Sequence, residues 1–252
     1  MAALAHIYRH PIKAHGSERL EEVTLHENAT LPWDRVWALA HERSRADGSQ
    51  WERCGNFSRG ATSPSLMAIT CHFDEAREEL TLRHPDLPTL KAKPDSDGEE
   101  IVNWVKPIMP GDARASERVI RARSAQEGQG LTDNPEPYLS ILGLSSLRAL
   151  SQRAGRDLSP LRFRGNLWVE GLGPWEEFEW VGKHVRLGEA ELAVEERIDR
   201  CPATMVNPET GKRDTDTLDH LREGWGHIDF GVFARVVQSG KISVGDALEV
   251  LG

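Results

Sequence analysis

Arg200-Cys201-Pro202-Ala203-Thr204, running on to Asn207-Pro208-Glu209-Thr210-Gly211, sets a thiol beside a cation and a hydroxyl and then closes in a turn-forming Asn-Pro…Gly segment. A thiolate is both a nucleophile and a soft metal ligand. The three cysteines, Cys54, Cys71 and Cys201, are widely spaced and make neither a disulfide framework nor a CxxC pair. A metal at Cys201 would therefore bring most of its own ligands. The alternative use of such a residue is as a small buried hydrophobe, the reading that suits Cys71 inside an apolar strand.

Other residues could hold an anion. Lys13 sits in the tight segment Pro11-Ile12-Lys13-Ala14-His15-Gly16, where backbone N–H groups could assist it. Arg35 stands at the mouth of Trp33-Asp34-Arg35-Val36-Trp37-Ala38-Leu39-Ala40, and its planar fork suits a phosphate as well as Asp34. In Arg162-Phe163-Arg164-Gly165-Asn166-Leu167-Trp168-Val169-Glu170-Gly171, strand geometry would put Arg164 and Asn166 on one face. For each cation a solvated or salt-bridged surface role stays open. Gly128-Gln129-Gly130 lacks the third glycine and the strand-to-helix context of a dinucleotide fingerprint.

These groups need a scaffold, and the 252 residues supply ample core for one large or two small domains. Hydrophobic residues at 38% and charged residues at 28% describe a self-folding globular chain. A net charge of -9 argues against a nucleic-acid partner. No apolar run reaches membrane-spanning length and no signal-peptide core follows Met1, so a cytoplasmic protein without membrane attachment is expected.

Short β-branched segments predict strands at 4–8, 20–25 and 33–40, then a loop over 50–65. A hairpin is expected from 66–73 and 80–84, and an exposed excursion over 91–100. Ser145 or Ser146 can cap a helix that ends at Gly155. Strands are expected over 162–171, at 185–187 with 192–194 around a Gly188 turn, at 230–237 and at 242–250, with a short helix at 217–222. Short strands with frequent turns favour a barrel over a doubly wound sheet.

Taken in order, Phe163–Gly171, Arg200–Thr204 with Asn207–Gly211, and Phe230-Gly231-Val232-Phe233 followed by Gly240-Lys241-Ile242-Ser243-Val244-Gly245-Asp246 resemble the MOSC family. That domain is found at the C-terminus of molybdenum cofactor sulfurases and in amidoxime-reducing components and their bacterial relatives. Pro11-Ile12-Lys13 and Asp34-Arg35-Val36-Trp37 look like the N-terminal barrel module of the longer members. The resemblance implies a mainly β chain with some α: a smaller β-barrel-like module over 1–110, then a MOSC-type β-barrel over 111–252.

It also implies the molybdenum cofactor, Mo-molybdopterin, with Cys201 as metal ligand and catalytic residue. Lys13, Arg35 and Arg164 would bind the pterin's phosphate and polar edges, with Ser140, Asn166, Arg200 and Thr204 as hydrogen-bonding neighbours. A metal already held by the pterin dithiolene needs only one protein thiolate, which fits a cysteine without partners. The implied activity is reduction of N-hydroxylated small molecules such as amidoximes, hydroxylamines and N-hydroxylated bases. Electrons would come from a separate protein, since no CxxxxCxxC ferredoxin pattern is present. The alternative is a cofactor carrier or a sulfur-transfer module holding a Cys201 persulfide. Asp199, Asp214 and His227 are candidate proton donors. Two positions depart from the family pattern: Ala14 stands where relatives often offer serine, and Arg53-Cys54-Gly55-Asn56-Phe57 replaces a Thr-x-Arg-like stretch.

Overall fold

In the computed structural model, residues 2–111, 114–123 and 128–251 are described. The first half carries β1 (Ala3–Arg9), β2 (Glu18–Leu20), β3 (Glu22–Leu25), β4 (Trp37–His41), β5 (Thr70–Asp74), β6 (Glu79–His84), β7 (Leu87–Ala92), α1 (Gly98–Val105) and β8 (Ser116–Arg121). Then follow β9 (Leu139–Gly143), α2 (Leu144–Ala154), β10 (Leu167–Glu170), β11 (His184–Leu187) and β12 (Ala190–Asp199). The chain ends with β13 (Val206–Asn207), β14 (Lys212–Arg213), α3 (Thr217–Trp225), β15 (Asp229–Gln238), β16 (Gly240–Ser243) and β17 (Leu248–Leu251).

The large sheet runs β17-β11-β12-β15-β9-β10-β1-β2. It curls back on itself, for Leu4 N–H donates to the Asp246 carbonyl and Leu248 N–H to the Ala2 carbonyl, both at 2.9 Å. Closure leaves fewer unpaired edges. Inward-facing Leu4, Ile7, Ile141, Leu167, Val169, Leu192, Val194, Val232 and Val236 fill its interior, as the period of two requires. Strands β9 and β10 pair in parallel, with α2 as their crossover.

The second core gathers Ile12, Trp37, Leu39, Ile69, Phe73, Leu80, Leu82, Ile101 and Val105. The sheet β5-β6-β7 and the pair β4-β8 enclose it. The two regions share strands across the sequence: β1 pairs with β10, β3 with β16, and β8 with β4. The result is the mainly β architecture expected, a barrel module followed by the larger barrel.

Several local expectations need correction. The stretch 91–100 is no simple excursion, because β7 runs to Ala92 and α1 begins at Gly98, burying Ile101, Trp104 and Val105. Residues 64–68 form a 3₁₀ helix, so the first strand of that hairpin starts at Thr70. The strand expected from Trp33 starts at Trp37, since Trp33 and Arg35 both take positive φ in the preceding turn. Residues 160–163 are likewise a 3₁₀ turn ahead of β10, and the last predicted strand breaks at Gly245, with φ 97°, into β16 and β17. The turn at Gly188, φ 54°, is the two-residue hairpin loop that joins Leu187 to Ala190.

Helix α2 ends at left-handed Gly155 as read from the sequence, but its start is different. Gly143 is the N-cap, and the wholly buried Glu177 reaches in from the 3₁₀ turn Glu176–Trp180. Its carboxylate accepts from Gly143 N–H at 3.3 Å and from the Ser146 hydroxyl at 2.8 Å, opposite the positive end of the helix. Burial pushes the Glu177 carboxyl up, with the Ser146 and Gly143 hydrogen bonds pulling back. Glu177→Ala leaves these donors buried and unpaired and is expected to cost about 3 kcal/mol. Urea unfolding checks this; an unchanged midpoint contradicts it.

Candidate functional site

A cleft of 430 Å³ opens where the ends of β1, β9, β10 and β12 face the loop between β4 and β5. Lys13, Arg35, Ser140, Arg164, Asn166, Arg200, Cys201 and Thr204 all line it, although they come from segments far apart in the chain. The physical question is what each has left to offer a ligand.

The three cations differ. Buried Lys13 donates from Nζ to Asp133 Oδ1 at 2.6 Å and to the Leu131 carbonyl at 2.8 Å. Lys13 in turn holds the Asp133 carboxyl down at about 2. Arg35 bonds Asp34 with one nitrogen and the Arg164 carbonyl, at 2.9 Å, with the other. Burial alone would raise the Asp34 carboxyl, but Arg35 and His10 outweigh it and hold the group well below its ordinary range. Arg164 has no carboxylate within ion-pair distance among the described residues, and its recorded contact is a long one, 3.5 Å, to the Ile12 carbonyl. Burial first, then the neighbouring Arg35 charge, lowers it to about 10.

Ala14, Arg35 and Arg164 have φ of 63°, 55° and 48°. Left-handed backbone is costly for residues with a Cβ, and such positions gather where the fold holds groups for function. All three line the cleft.

Cys201 is exposed at the cleft and begins the 3₁₀ turn Pro202–Met205. Burial by the cleft walls pushes its thiol up, while Ala203 N–H and Arg200 favour the thiolate. Thr204 anchors the turn, donating from both N–H and hydroxyl to the Cys201 carbonyl at 3.2 and 3.1 Å. Its hydroxyl also meets that of Thr217 at 2.6 Å. Arg200 faces inward, giving Nε to the Phe230 carbonyl at 2.8 Å and Nη1 to the Phe163 carbonyl at 3.0 Å. Ser140 and Asn166 bind one another: Asn166 N–H donates to the serine oxygen at 2.9 Å and the serine hydroxyl to Asn166 Oδ1 at 3.1 Å. Asn166 Nδ2 is used on the Tyr8 carbonyl. These four residues therefore brace the site, and the polar bonds recorded for them lie within the protein.

Other lining residues carried no local signal. Asp133 meets Lys13 only through the fold, from 120 residues away. Cys54 and Arg59 arrive on the glycine-rich loop. Arg162, almost fully buried, is tied to Asp214 at 2.7 Å, and its Nε and Nη1 find no partner among the described residues. Of the proton-donor candidates, Asp199 lines the cleft. Asp214 is engaged by Arg162, Arg156 and Asn207, and His227 packs on Trp175 and Phe178. Among the described residues no three His, Cys, Asp or Glu side chains converge on a point that could hold an ion.

The cleft joins an exposed cysteine to Lys13 and Arg35 from the N-terminal part of the chain and to Arg164 and Arg200 from the C-terminal part. The family model of the MOSC domain covers residues 129–249 and that of the MOSC N-terminal beta barrel domain residues 1–108. The chain belongs to the MOSC family, with the N-terminal barrel module ahead of the MOSC domain. It is 27% identical over 161 residues to the molybdenum cofactor sulfurase of Drosophila grimshawi, a match covering 61% of this chain and 21% of that protein. It is 28% identical over 178 residues to the mitochondrial amidoxime-reducing component 1 of Mus musculus, covering 62% of this chain and 52% of that protein. The match thus spans about a fifth of one relative and about half of the other. Among solved structures the YUAD protein from Bacillus subtilis aligns over 99% of this chain and 96% of its own, with 14% identity and a TM-score of 0.47. No helix among the described residues is long and apolar enough to cross a membrane.

Proposed function

We propose that the cleft holds the molybdenum cofactor through Cys201 and that the protein reduces N-hydroxylated small molecules with electrons from a separate protein. The observation that carries this reading is one cavity containing both an exposed thiol and a half-buried guanidinium, Arg164, without a carboxylate partner among the described residues. The donor set fits the group: a soft ligand for a metal that arrives with its other ligands, and cations for a phosphate. When bound, the cofactor supplies the redox centre at which an N–O bond is cleaved with two electrons and two protons.

The chain's own residues do the rest. Cys201 offers its sulfur from a turn fixed by Thr204, and Arg200, fastened to two backbone carbonyls, keeps that turn against β15. Lys13, Arg35 and Arg164 supply positive charge on the opposite wall, and Ser140 with Asn166 fixes the start of β10 beneath them. Asp199 lines the cleft two residues before Cys201, and in this reading it is the candidate for proton delivery to the leaving oxygen. An exposed sulfur at Cys201 also meets the requirement of a persulfide carrier, which is the second reading.

Metal-loaded protein should accelerate the oxidation of a chemically reduced viologen dye when an amidoxime or a hydroxylamine is added. A fully loaded protein that leaves the dye reduced with both substrates overturns the reductase reading and favours the carrier.

A further inference from the structure

Cys201 shares its cleft with a second thiol. Cys54 opens the 3₁₀ turn Cys54–Asn56 in the loop between β4 and β5, is half-buried, and lines the same cavity. The Arg59 guanidinium donates to its sulfur at 3.3 Å. The loop is fastened over the Cys201 turn a few residues on, where Arg213 donates to the Ala61 carbonyl. A Cβ built on Gly60 would lie 3.5 Å from that of Ala203. The turn itself buries none of its residues, and His41 Nε2 at the Gly55 carbonyl, 2.8 Å, and Ser44 Oγ at Asn56 Oδ1, 3.3 Å, fix its place beside the cavity. Cys71, by contrast, is buried against Gly16.

We infer that Cys54 and Cys201 form a peroxide-sensitive dithiol that closes to a disulfide across the cleft. A peroxide oxidises the first thiol it meets to a sulfenic acid, releasing one water. The other thiol attacks that sulfur: the S–S bond forms, the S–O bond breaks, and the oxygen leaves as a second water. Two thiols are oxidised and one peroxide is reduced, so the electrons balance. Arg59 stabilises the negative charge that the Cys54 sulfur carries during the exchange. The linked state withdraws the Cys201 sulfur from any metal and ties the loop shut over the cavity, and a thiol reductant reopens it.

The test uses full-length protein from a host that cannot make the molybdenum cofactor, so its outcome is separable from the cofactor reading. After reduction and desalting, a small molar excess of hydrogen peroxide should lower the thiol count in denaturant from three to one. Peptide mapping without reductant should recover Cys54 linked to Cys201 within one chain, and dithiothreitol should restore all three thiols. In Cys54→Ser the link is absent and Cys201 instead takes a dimedone adduct. Wild type that takes the dimedone adduct as fully as Cys54→Ser, links only between chains, or keeps three thiols while dimedone-labelled controls oxidise, overturns the inference. The wild-type measurement decides even if a variant folds poorly.

Discussion

Between pH 7 and pH 5 the protein is expected to lose about 4 kcal/mol of unfolding free energy, about 2 kcal/mol from each of two buried imidazoles. His10 and His15 are fully buried, each with an Nε2 that has no hydrogen-bond partner among the described residues. Burial, helped by the Arg164 and Arg35 charges and opposed by Asp34, lowers His10 to about 3. Burial also lowers His15 to about 4, against the pull of the Lys13 carbonyl and with Arg164 assisting. Both rings therefore stay neutral in the folded chain at pH 5, while the unfolded chain protonates them below its ordinary value of about 6.5. The unfolded state then binds more protons, and stability falls as pH falls until the folded values are reached. Asp34 adds a further loss below the ordinary carboxylate range, because its lowered folded value means that the unfolded state takes up that proton first. Urea unfolding at pH 7, 6 and 5 measures the slope, and His15→Gln should remove about half of it. A flat profile, or a slope unchanged in His15→Gln, contradicts the assignment.

Arg164→Asn is expected to reduce pterin retention about 100-fold, as truncating one side of a buried charge pair does. Asparagine tolerates the left-handed backbone at φ 48°, so the substitution tests the charge rather than the turn. Arg164 is a half-buried cation beside Arg35 with no carboxylate partner among the described residues, and its removal should leave the melting temperature unchanged or raise it. Binding lost with stability kept is the expected pair of results. Arg164→Lys keeps the charge without the fork and should fall between. Unchanged pterin content in Arg164→Asn, or a collapse in stability, shows instead that the guanidinium is structural.

The sequence made the site's members legible where residue type and neighbours together carried the signal. Phe163-Arg164-Gly165-Asn166 and Arg200-Cys201-Pro202-Ala203-Thr204 pointed to Arg164, Asn166, Arg200, Cys201 and Thr204, which line one cleft. It did not reveal which way their polar atoms turn. Ser140, Asn166, Arg200 and Thr204 spend hydrogen bonds on Tyr8, Phe163, Phe230, Thr217 and one another, partners settled by tertiary packing. Helix α1 was hidden because its polar approach, Lys93 to Asp97, reads as loop, and only Ile101, Trp104 and Val105 mark its buried face. Glu177 was invisible as the partner of α2 because no local spacing links it to Gly143, 34 residues earlier. Cys54 and Asp133 were missed for the same reason: their meaning lies in what the fold carries them next to. The alternating strands, the Gly188 hairpin and the Gly155 helix end, by contrast, are set by neighbours in sequence, and they could be read there.

The role of Cys201 is tested most directly by molybdenum and pterin content per chain, for wild type and Cys201→Ala expressed together in a cofactor-proficient host. Near-stoichiometric metal and pterin in the wild type, with molybdenum sharply reduced in Cys201→Ala, is the predicted result. Wild-type protein free of molybdenum and pterin from that host, or Cys201→Ala retaining the full metal complement, would contradict it.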